Sequence, residues 1–345
     1  MKVLSVVGNR PQFIKSAPLS LSLREAGIHE VVLHTEQHYD PELSQVFFDE
    51  LGLSEPDHRL GLQTADPETM RPRIHEVVRS AGPDAVLVYG DTNSTLAGAQ
   101  AAAGAEVPVA HVEAGLRSGD LTMPEERNRI EVDRISALLY APDERSRDIL
   151  EDEDVHGIVE VVGDVMADAS LRFAPIARER SDALERFDVE PGRFVLVTLH
   201  REANVRPERL RRIVEGLNRL DEAIVFPAHP RARAAMSGLR HRFELTEPLG
   251  YLDVAALASQ ARVIVTDSGG LQEEACCLRV PCVTLRDNTE RPESVEVGAN
   301  RLAGAEAARI VECALSMSAR PRDWRNPFGD GKSGLRIVDL LTGGS

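Results

Sequence analysis

The sequence predicts two α/β domains of the Rossmann-like kind, each built on a parallel sheet. Three observations carry that reading. A chain of 345 residues exceeds the usual size of one hydrophobic core, so two cores of similar size are expected. Short apolar, β-branched runs alternate with longer helical stretches, which is the rhythm of βαβ units and a parallel sheet. That rhythm restarts after a polar helical stretch near residues 165 to 175.

In the first half, Val3 to Val7, Val31 to His34, Ala85 to Tyr89, Val107 to Val112 and Val159 to Val162 fit buried strands. In the second, the candidates are Phe194 to Leu199, Ala223 to Phe226, Val263 to Thr266 and Cys282 to Leu285. We divide the chain into residues 1–168, 169–330 and a final segment 331–345. No close internal repeat is visible.

Composition narrows the class. Hydrophobic residues at 42% and charged residues at 28% are ordinary for a globular protein, and no apolar run approaches the ~18 residues of a membrane span. The opening Met1-Lys2-Val3-Leu4-Ser5 resembles a first strand rather than a secretory signal, which with the rest places the chain in the cytoplasm, away from membranes. Four cysteines, two of them adjacent at Cys276 and Cys277, make neither a disulfide framework nor a spaced zinc site. A formal net charge of −16 argues against nucleic acid, because binding a phosphate backbone needs a basic face. Lys2, Lys15 and Lys332 are the only lysines, so arginine supplies nearly all the positive charge.

Three short patterns are set aside. Asp152-Glu153-Asp154 matches a metal-binding pattern of some glycosyltransferases, but charge runs of this kind are usually solvated helix ends. Gly329-Asp330-Gly331-Lys332-Ser333 looks like a P-loop, yet Asn326 stands at the first glycine position and no strand precedes it. Gly8-Asn9-Arg10-Pro11 lacks the glycines of a dinucleotide loop, which speaks against NAD.

The chemistry gathers at strand ends. Arg10, Asp91, Glu113 and His200 each follow a predicted strand, and in parallel α/β sheets ligands bind beyond the carboxyl ends of the strands. Two such rims would make a cleft between the domains. In Thr266-Asp267-Ser268-Gly269-Gly270-Leu271-Gln272-Glu273-Glu274 a strand runs through a Ser-Gly-Gly turn into a helix. Free N–H groups and the helix dipole there can hold a phosphate, and Glu274 is placed to accept from ribose hydroxyls.

Asp91, Glu113 and Glu125 form an acidic constellation beside Arg117, Arg127 and Arg129. Any one could be a helix cap; three together look like an acid–base site, because crowded carboxylates shift one another's proton affinity. Arg10 and Lys15 add cations that would stabilise a departing diphosphate. His200 and His229, at strand ends, are better functional candidates than His34, His58, His75, His156 or His241.

With these residues laid out, the chain resembles the non-hydrolysing UDP-N-acetylglucosamine 2-epimerases over nearly its whole length. The segments that carry the likeness include Gly8 to Lys15, Tyr89 to Thr92, His111 to Ser118, Pro124 to Arg129, Thr198 to Arg201, Thr266 to Glu274, Leu285 to Glu293 and Asn326 to Gly331. The resemblance implies a GT-B-type fold whose C-terminal helix, roughly Ser333 to Leu341, crosses back to the first domain. It also implies elimination of the C2 proton and UDP to a 2-acetamidoglucal, followed by re-addition of UDP, with no NAD and no obligatory metal.

By position, Asp91, Glu113 and Glu125 would be the acid, base and cation-stabilising carboxylates, with the base left open among them, and His200 would assist departure of UDP. Arg10, Ser268, Gly269, Gly270 and Glu274 match nucleotide contacts, while Lys15, Arg129 and His229 match other cleft positions. Gln37, Gln63, Arg201 and His229 correspond to an effector site for UDP-N-acetylglucosamine in some members. A homodimer and a role in surface polysaccharide synthesis are further expectations. Glu36, Ala203 and Val254 depart from the commoner family residues, and Glu36 adds charge near the expected cleft. Epimerisation of a related UDP-2,3-diacetamido sugar, transfer of a sugar from a UDP donor, and silent nucleotide-sugar sensing are the competing readings.

Overall fold

The computed structural model describes residues 1–37 and 50–343; Gly344 and Ser345 of the final segment lie outside that range. Two compact units emerge. Met1–Ala169 joins Phe328–Ser345 in the first, and Ser170–Pro327 forms the second.

The first unit holds a seven-stranded sheet in the order β3-β2-β1-β4-β5-β6-β7. Its strands are β1 (Lys2–Val7), β2 (His29–His34), β3 (His58–Arg59), β4 (Ala85–Tyr89), β5 (Val109–Val112), β6 (Leu138–Ala141) and β7 (Ile158–Val161). Every pairing is parallel. All five residues of β4 are buried, as expected of a central parallel strand covered by helices on both faces. Met70, Ile74 and Val78 form the buried stripe of helix Pro67–Ala81 and pack with Leu4, Val6, Val86, Val88 and Ala97. Gly98 is small for a reason: a Cβ there would come within 3.1 Å of the Val6 side chain.

Helix Ser333–Leu341 is part of the same unit and packs against helix Arg10–Glu25. Close approach is made by Gly334, whose Cβ position lies 3.4 Å from the backbone of Pro18 and Leu19. The helix N-terminus is held by buried Asp168, which accepts from the backbone N–H groups of Ser333 at 3.0 Å and Gly334 at 2.8 Å. Burial pushes the Asp168 carboxyl up, partly offset by those two bonds.

The second unit carries a six-stranded sheet in the order β10-β9-β8-β11-β12-β13. These strands are β8 (Phe194–Thr198), β9 (Ala223–Pro227), β10 (Leu245–Thr246), β11 (Val263–Thr266), β12 (Cys282–Thr284) and β13 (Asn300–Leu302), again all parallel. Alternate residues of β8 and β11 feed two cores. Val195, Val197, Val263 and Val265 meet Leu210, Ile213, Leu217, Ile310 and Met317 on one face; Phe194, Leu196 and Ile264 meet Leu257, Leu271 and Val280 on the other.

All nine strands expected from sequence are present, with ends moved by a residue or two. β3, β6, β10 and β13 were not expected. β3 and β10 have two residues each and β13 has three, too short to show a period, and the four-residue β6 follows helix Pro124–Ile135 after two residues. The cysteines are free and buried. Among the described residues, no helix is long and apolar enough to cross a membrane.

Candidate active site

In each sheet the strand order reverses direction at one place, between β1 and β4 in the first unit and between β8 and β11 in the second. Loops leaving the carboxyl ends diverge there and open a crevice. The sequence-identified residues fall at these two rims.

At the first rim, Arg10 opens the helix after β1, capped by Asn9, whose side chain accepts from Gln12 N–H at 3.2 Å. Lys15, more than a turn further on, forms an ion pair with Glu113. Burial alone would lower the lysine's proton affinity, but Glu113 and Asp91 outweigh it and the net direction is up. Asp91 is paired in turn with Arg129. The expected carboxylates Asp91 and Glu113 are thus brought together, each with its own cation rather than as bare neighbours.

The backbone at this rim is unusual. Glu113 adopts φ +72°, a left-handed conformation that costs a non-glycine residue of the order of 1 kcal/mol. It is held there because its N–H and that of Ala114 both donate to the Tyr140 carbonyl at 3.1 Å. Gly90, at φ +64°, passes so close that a Cβ would lie 3.3 Å from both Glu113 Oε2 and Lys15 Nζ. Asp91 is not a helix cap; Thr92 caps helix Asn93–Gly104. The Asp91 carbonyl instead accepts from the Asn128 side chain at 3.0 Å.

Glu125 stands exposed in the first turn of helix Pro124–Ile135, one turn before Arg129. Its neighbour Glu126 is buried and accepts from the N–H groups of Ser118 and Gly119 at 2.9 Å each, fixing the loop before the helix. Gln37 is engaged with the start of helix Asn93–Gly104, accepting from Ser94 N–H at 3.0 Å and Ser94 Oγ at 2.8 Å. Glu36 and Gln63 both sit at positive φ, +59° and +47°. The Glu36 carboxylate turns onto Gly61 N–H at 2.5 Å, so the extra charge is tied to a neighbouring loop. Arg127 is exposed, and Arg117 is turned to Glu153 and Asp133. The acidic stretch lies at the end of helix Glu144–Asp152, with Glu151, Asp152 and Asp154 exposed and Glu153 drawn to Arg117.

At the second rim the organiser is Asp267, fully buried at the end of β11. It accepts from the N–H groups of His200 at 2.9 Å and Arg201 at 3.0 Å, and from the Asn204 side chain at 2.9 Å. Burial raises its carboxyl, but these bonds outweigh it and hold it low. The His200 ring stays half-exposed, with Nδ1 3.6 Å from Asp267 and its centroid 6.2 Å from that of His229. His229 caps helix Pro230–Met236, and burial, His200 and Arg231 all push its imidazole down.

Ser268 caps helix Gly269–Cys277, accepting from Leu271 N–H at 3.4 Å, while its own N–H donates to Thr266 Oγ1 at 3.0 Å. Neither following glycine has a positive φ. A Cβ at Gly269 would meet nothing nearer than Glu290 at 3.6 Å, and one at Gly270 only Ser268 Oγ at 4.0 Å. Nothing among the described residues therefore demands glycine at either position, and the start of this helix carries no side chain at two successive positions. Glu274 is buried one turn into that helix.

Sequence reasoning passed over Asp267, Arg286 and Glu290. Arg286 donates to Glu290, and Arg201 donates to Glu290 at 2.9 Å. Burial would raise the Glu290 carboxyl; the Arg286 hydrogen bond and the charges of Arg201 and Arg286 carry it down to about 2. The available signal was a strand-end Asp directly before the Ser-Gly-Gly turn. Among the described residues, no group of three or more His, Cys, Asp or Glu side chains is placed to hold a metal ion.

The family model described as UDP-N-acetylglucosamine 2-epimerase matches residues 22–342. The UDP-N-acetylglucosamine 2-epimerase of Methanocaldococcus jannaschii is 43% identical over the whole of both chains. A UDP-2,3-diacetamido-2,3-dideoxy-D-glucuronate 2-epimerase of Pseudomonas aeruginosa is 41% identical over 99% of each. The crystal structure of the M. jannaschii enzyme in complex with UDP-GlcNAc and UDP superposes with a TM-score of 0.87 at 41% identity, covering both chains fully. A spinosyn rhamnosyltransferase, 16% identical with a TM-score of 0.56, shares the fold alone. On the full-length match of sequence and structure, the chain is an enzyme of the UDP-N-acetylglucosamine 2-epimerase family.

Proposed function

We propose that the protein interconverts UDP-N-acetylglucosamine and UDP-N-acetylmannosamine by removing and re-adding UDP. The observation that carries this is the pairing of Asp91 and Glu113 with Arg129 and Lys15 at one switch point, since the reaction needs a proton taken from one face of C2 and returned to the other. A carboxylate at this rim takes the C2 proton. The electron pair left behind forms the C1=C2 double bond, and the C1–O bond breaks with its electrons on the β-phosphate oxygen of UDP. UDP then adds back to the 2-acetamidoglucal while a proton reaches C2 from the opposite face.

Asp91, Glu113 and Glu125 share the acid, base and cation-stabilising roles. Lys15, Arg10 and Arg129 offset the negative charge that grows on the leaving diphosphate. Ser268, Gly269 and Gly270 present N–H groups to that diphosphate, Glu274 accepts from the ribose, and His200, with His229 beside it, assists departure. Elimination and addition are redox-neutral overall, so the scheme calls for no NAD, and it assigns the cationic role at the diphosphate to arginine and lysine side chains rather than to an obligatory metal. Gln37, Gln63 and Arg201 are assigned to effector binding, which would compete with the Ser94 and Glu290 contacts. We place the enzyme in the cytoplasm as a homodimer serving surface polysaccharide synthesis, in keeping with its family and acidic charge.

The relative in P. aeruginosa supports a second reading, a UDP-2,3-diacetamido sugar as substrate, because its identity to this chain is nearly that of the M. jannaschii enzyme. Proton NMR in deuterated water decides. Deuterium at C2 of UDP-N-acetylglucosamine together with the manno product is expected. An intact C2 proton would transfer the proposal to the diacetamido sugar, and inertness toward both, with turnover only when an acceptor is added, would replace it with a glycosyltransferase.

A further inference from the structure

Behind the first rim lies a run of buried charges that the proposed chemistry does not use. Asp133, near the end of helix Pro124–Ile135, and His111, on β5, are both fully buried. Asp133 Oδ1 lies 2.7 Å from His111 Nδ1, and the other ring nitrogen, Nε2, lies 2.7 Å from the Gly90 carbonyl. Both partners present acceptor oxygens, so both contacts are hydrogen bonds when both ring nitrogens carry hydrogen. Asp133 Oδ2 accepts from Gly115 N–H at 3.2 Å and from the Arg117 guanidinium at 2.8 Å. Burial would raise the Asp133 carboxyl, but His111 and Arg117 outweigh it and hold it low. Arg117 is fixed from outside by two bonds of 2.9 Å to Glu153.

The two backbone groups gripped this way sit beside the reactive carboxylates. Gly90 immediately precedes Asp91, and Gly115 is two residues after Glu113. Both glycines are in left-handed conformations, φ +64° and +83°, and a Cβ at Gly115 would come within 2.3 Å of the Ser146 carbonyl. Neither turn has slack, and one carboxylate holds both.

We propose that Asp133 is a positioning residue, which through His111 fixes the Gly90 turn that aims Asp91 and through Gly115 and Arg117 fixes the turn that aims Glu113. It rests on the epimerase reading given above. Being fully buried, Asp133 and His111 do not touch substrate; their effect is on how far the two carboxylates stray from reacting geometry.

The test compares the wild type with Asp133→Asn and Asp133→Ala, scoring kcat per folded molecule, KM, and UDP affinity by calorimetry. An asparagine can still accept from Gly115 and Arg117 through its oxygen, and its amide can donate to His111 Nδ1 once that nitrogen gives up its hydrogen, so shape survives while the charge-assisted bonds are lost. We expect kcat to fall about tenfold for Asp133→Asn and at least about a hundredfold for Asp133→Ala, with KM and the UDP Kd within about twofold. A thermal transition that drops while kcat per folded molecule stays at the wild-type value would overturn the proposal, as would a loss confined to KM.

A second measurement needs neither turnover nor a folded variant. In nitrogen-edited NMR of the wild type, His111 is expected to show two ring N–H protons, both slow to exchange; a single ring N–H would remove the link between Asp133 and Gly90. If the wild type leaves UDP-N-acetylglucosamine untouched, the functional reading fails on its own, and the ring-proton spectrum still decides the grip.

Discussion

Lys15 reaches from the helix after β1 to Glu113 at the end of β5, and the residue it meets is held in a left-handed backbone conformation. Backbone and ion pair together fix where that carboxylate stands, which suits the acid–base role proposed for it.

Glu113→Gln and Asp91→Asn each remove one proposed proton-transfer group and keep its shape. Exchange of the C2 proton should slow by about 10²–10⁴-fold, while UDP affinity, which the proposal assigns to the second unit, should change little. Deuterium incorporation at C2 and calorimetric titration with UDP measure the two halves. Undiminished exchange in both variants would remove these residues from the mechanism.

Lys15→Met leaves Glu113, whose side chain is 3% exposed, buried without its cation. Breaking a buried pair from one side costs about 3–5 kcal/mol, read as a lower midpoint in urea unfolding. The double variant Lys15→Met, Glu113→Gln should recover part of that stability and none of the activity.

Gly269→Ala separates folding from binding. The new methyl group has room, and alanine in a helix is better than glycine by up to about 1 kcal/mol, so thermal stability should hold or rise. UDP affinity should fall about tenfold or more if, as proposed, the diphosphate seats on this turn, because the methyl group would then crowd it. Unaltered affinity would mean that the turn does not carry the diphosphate.

Glu290 gives a dependence on pH. Its folded-state value, about 2, lies below the ordinary 4.5, so the stability it contributes is fully present above 4.5 and is lost as pH falls toward 2. The stability gap between the wild type and Glu290→Gln, measured by denaturant midpoints at pH 7, 4.5 and 3, should narrow only between the last two. A gap constant through pH 3 would contradict the ionic origin of the contact.

The strands were legible where burial is two-sided, as in Ala85 to Tyr89, because a run of apolar residues bounded by turn chemistry has few other outcomes. β13 was not, since Asn300-Arg301-Leu302 owes its place to pairing with β12. The positions of the candidate site residues were legible where they follow a strand, as Asp91, Glu113 and His200 do. What sequence could not show was partnership across distance. Asp133 is 22 residues from His111 and 18 from Gly115, and nothing local marks it. Nor could sequence tell Glu125, exposed, from Glu126, turned inward to Ser118 and Gly119; adjacent residues in the first turn of one helix face opposite ways.

Helix Ser333–Leu341 completes the first unit although more than 150 residues of the second are translated before it. During synthesis, therefore, the surface over Pro18 and Leu19 that this helix covers stays bare until the whole of the second unit has been made. The second unit, continuous in sequence, has all of its own elements before that helix is translated.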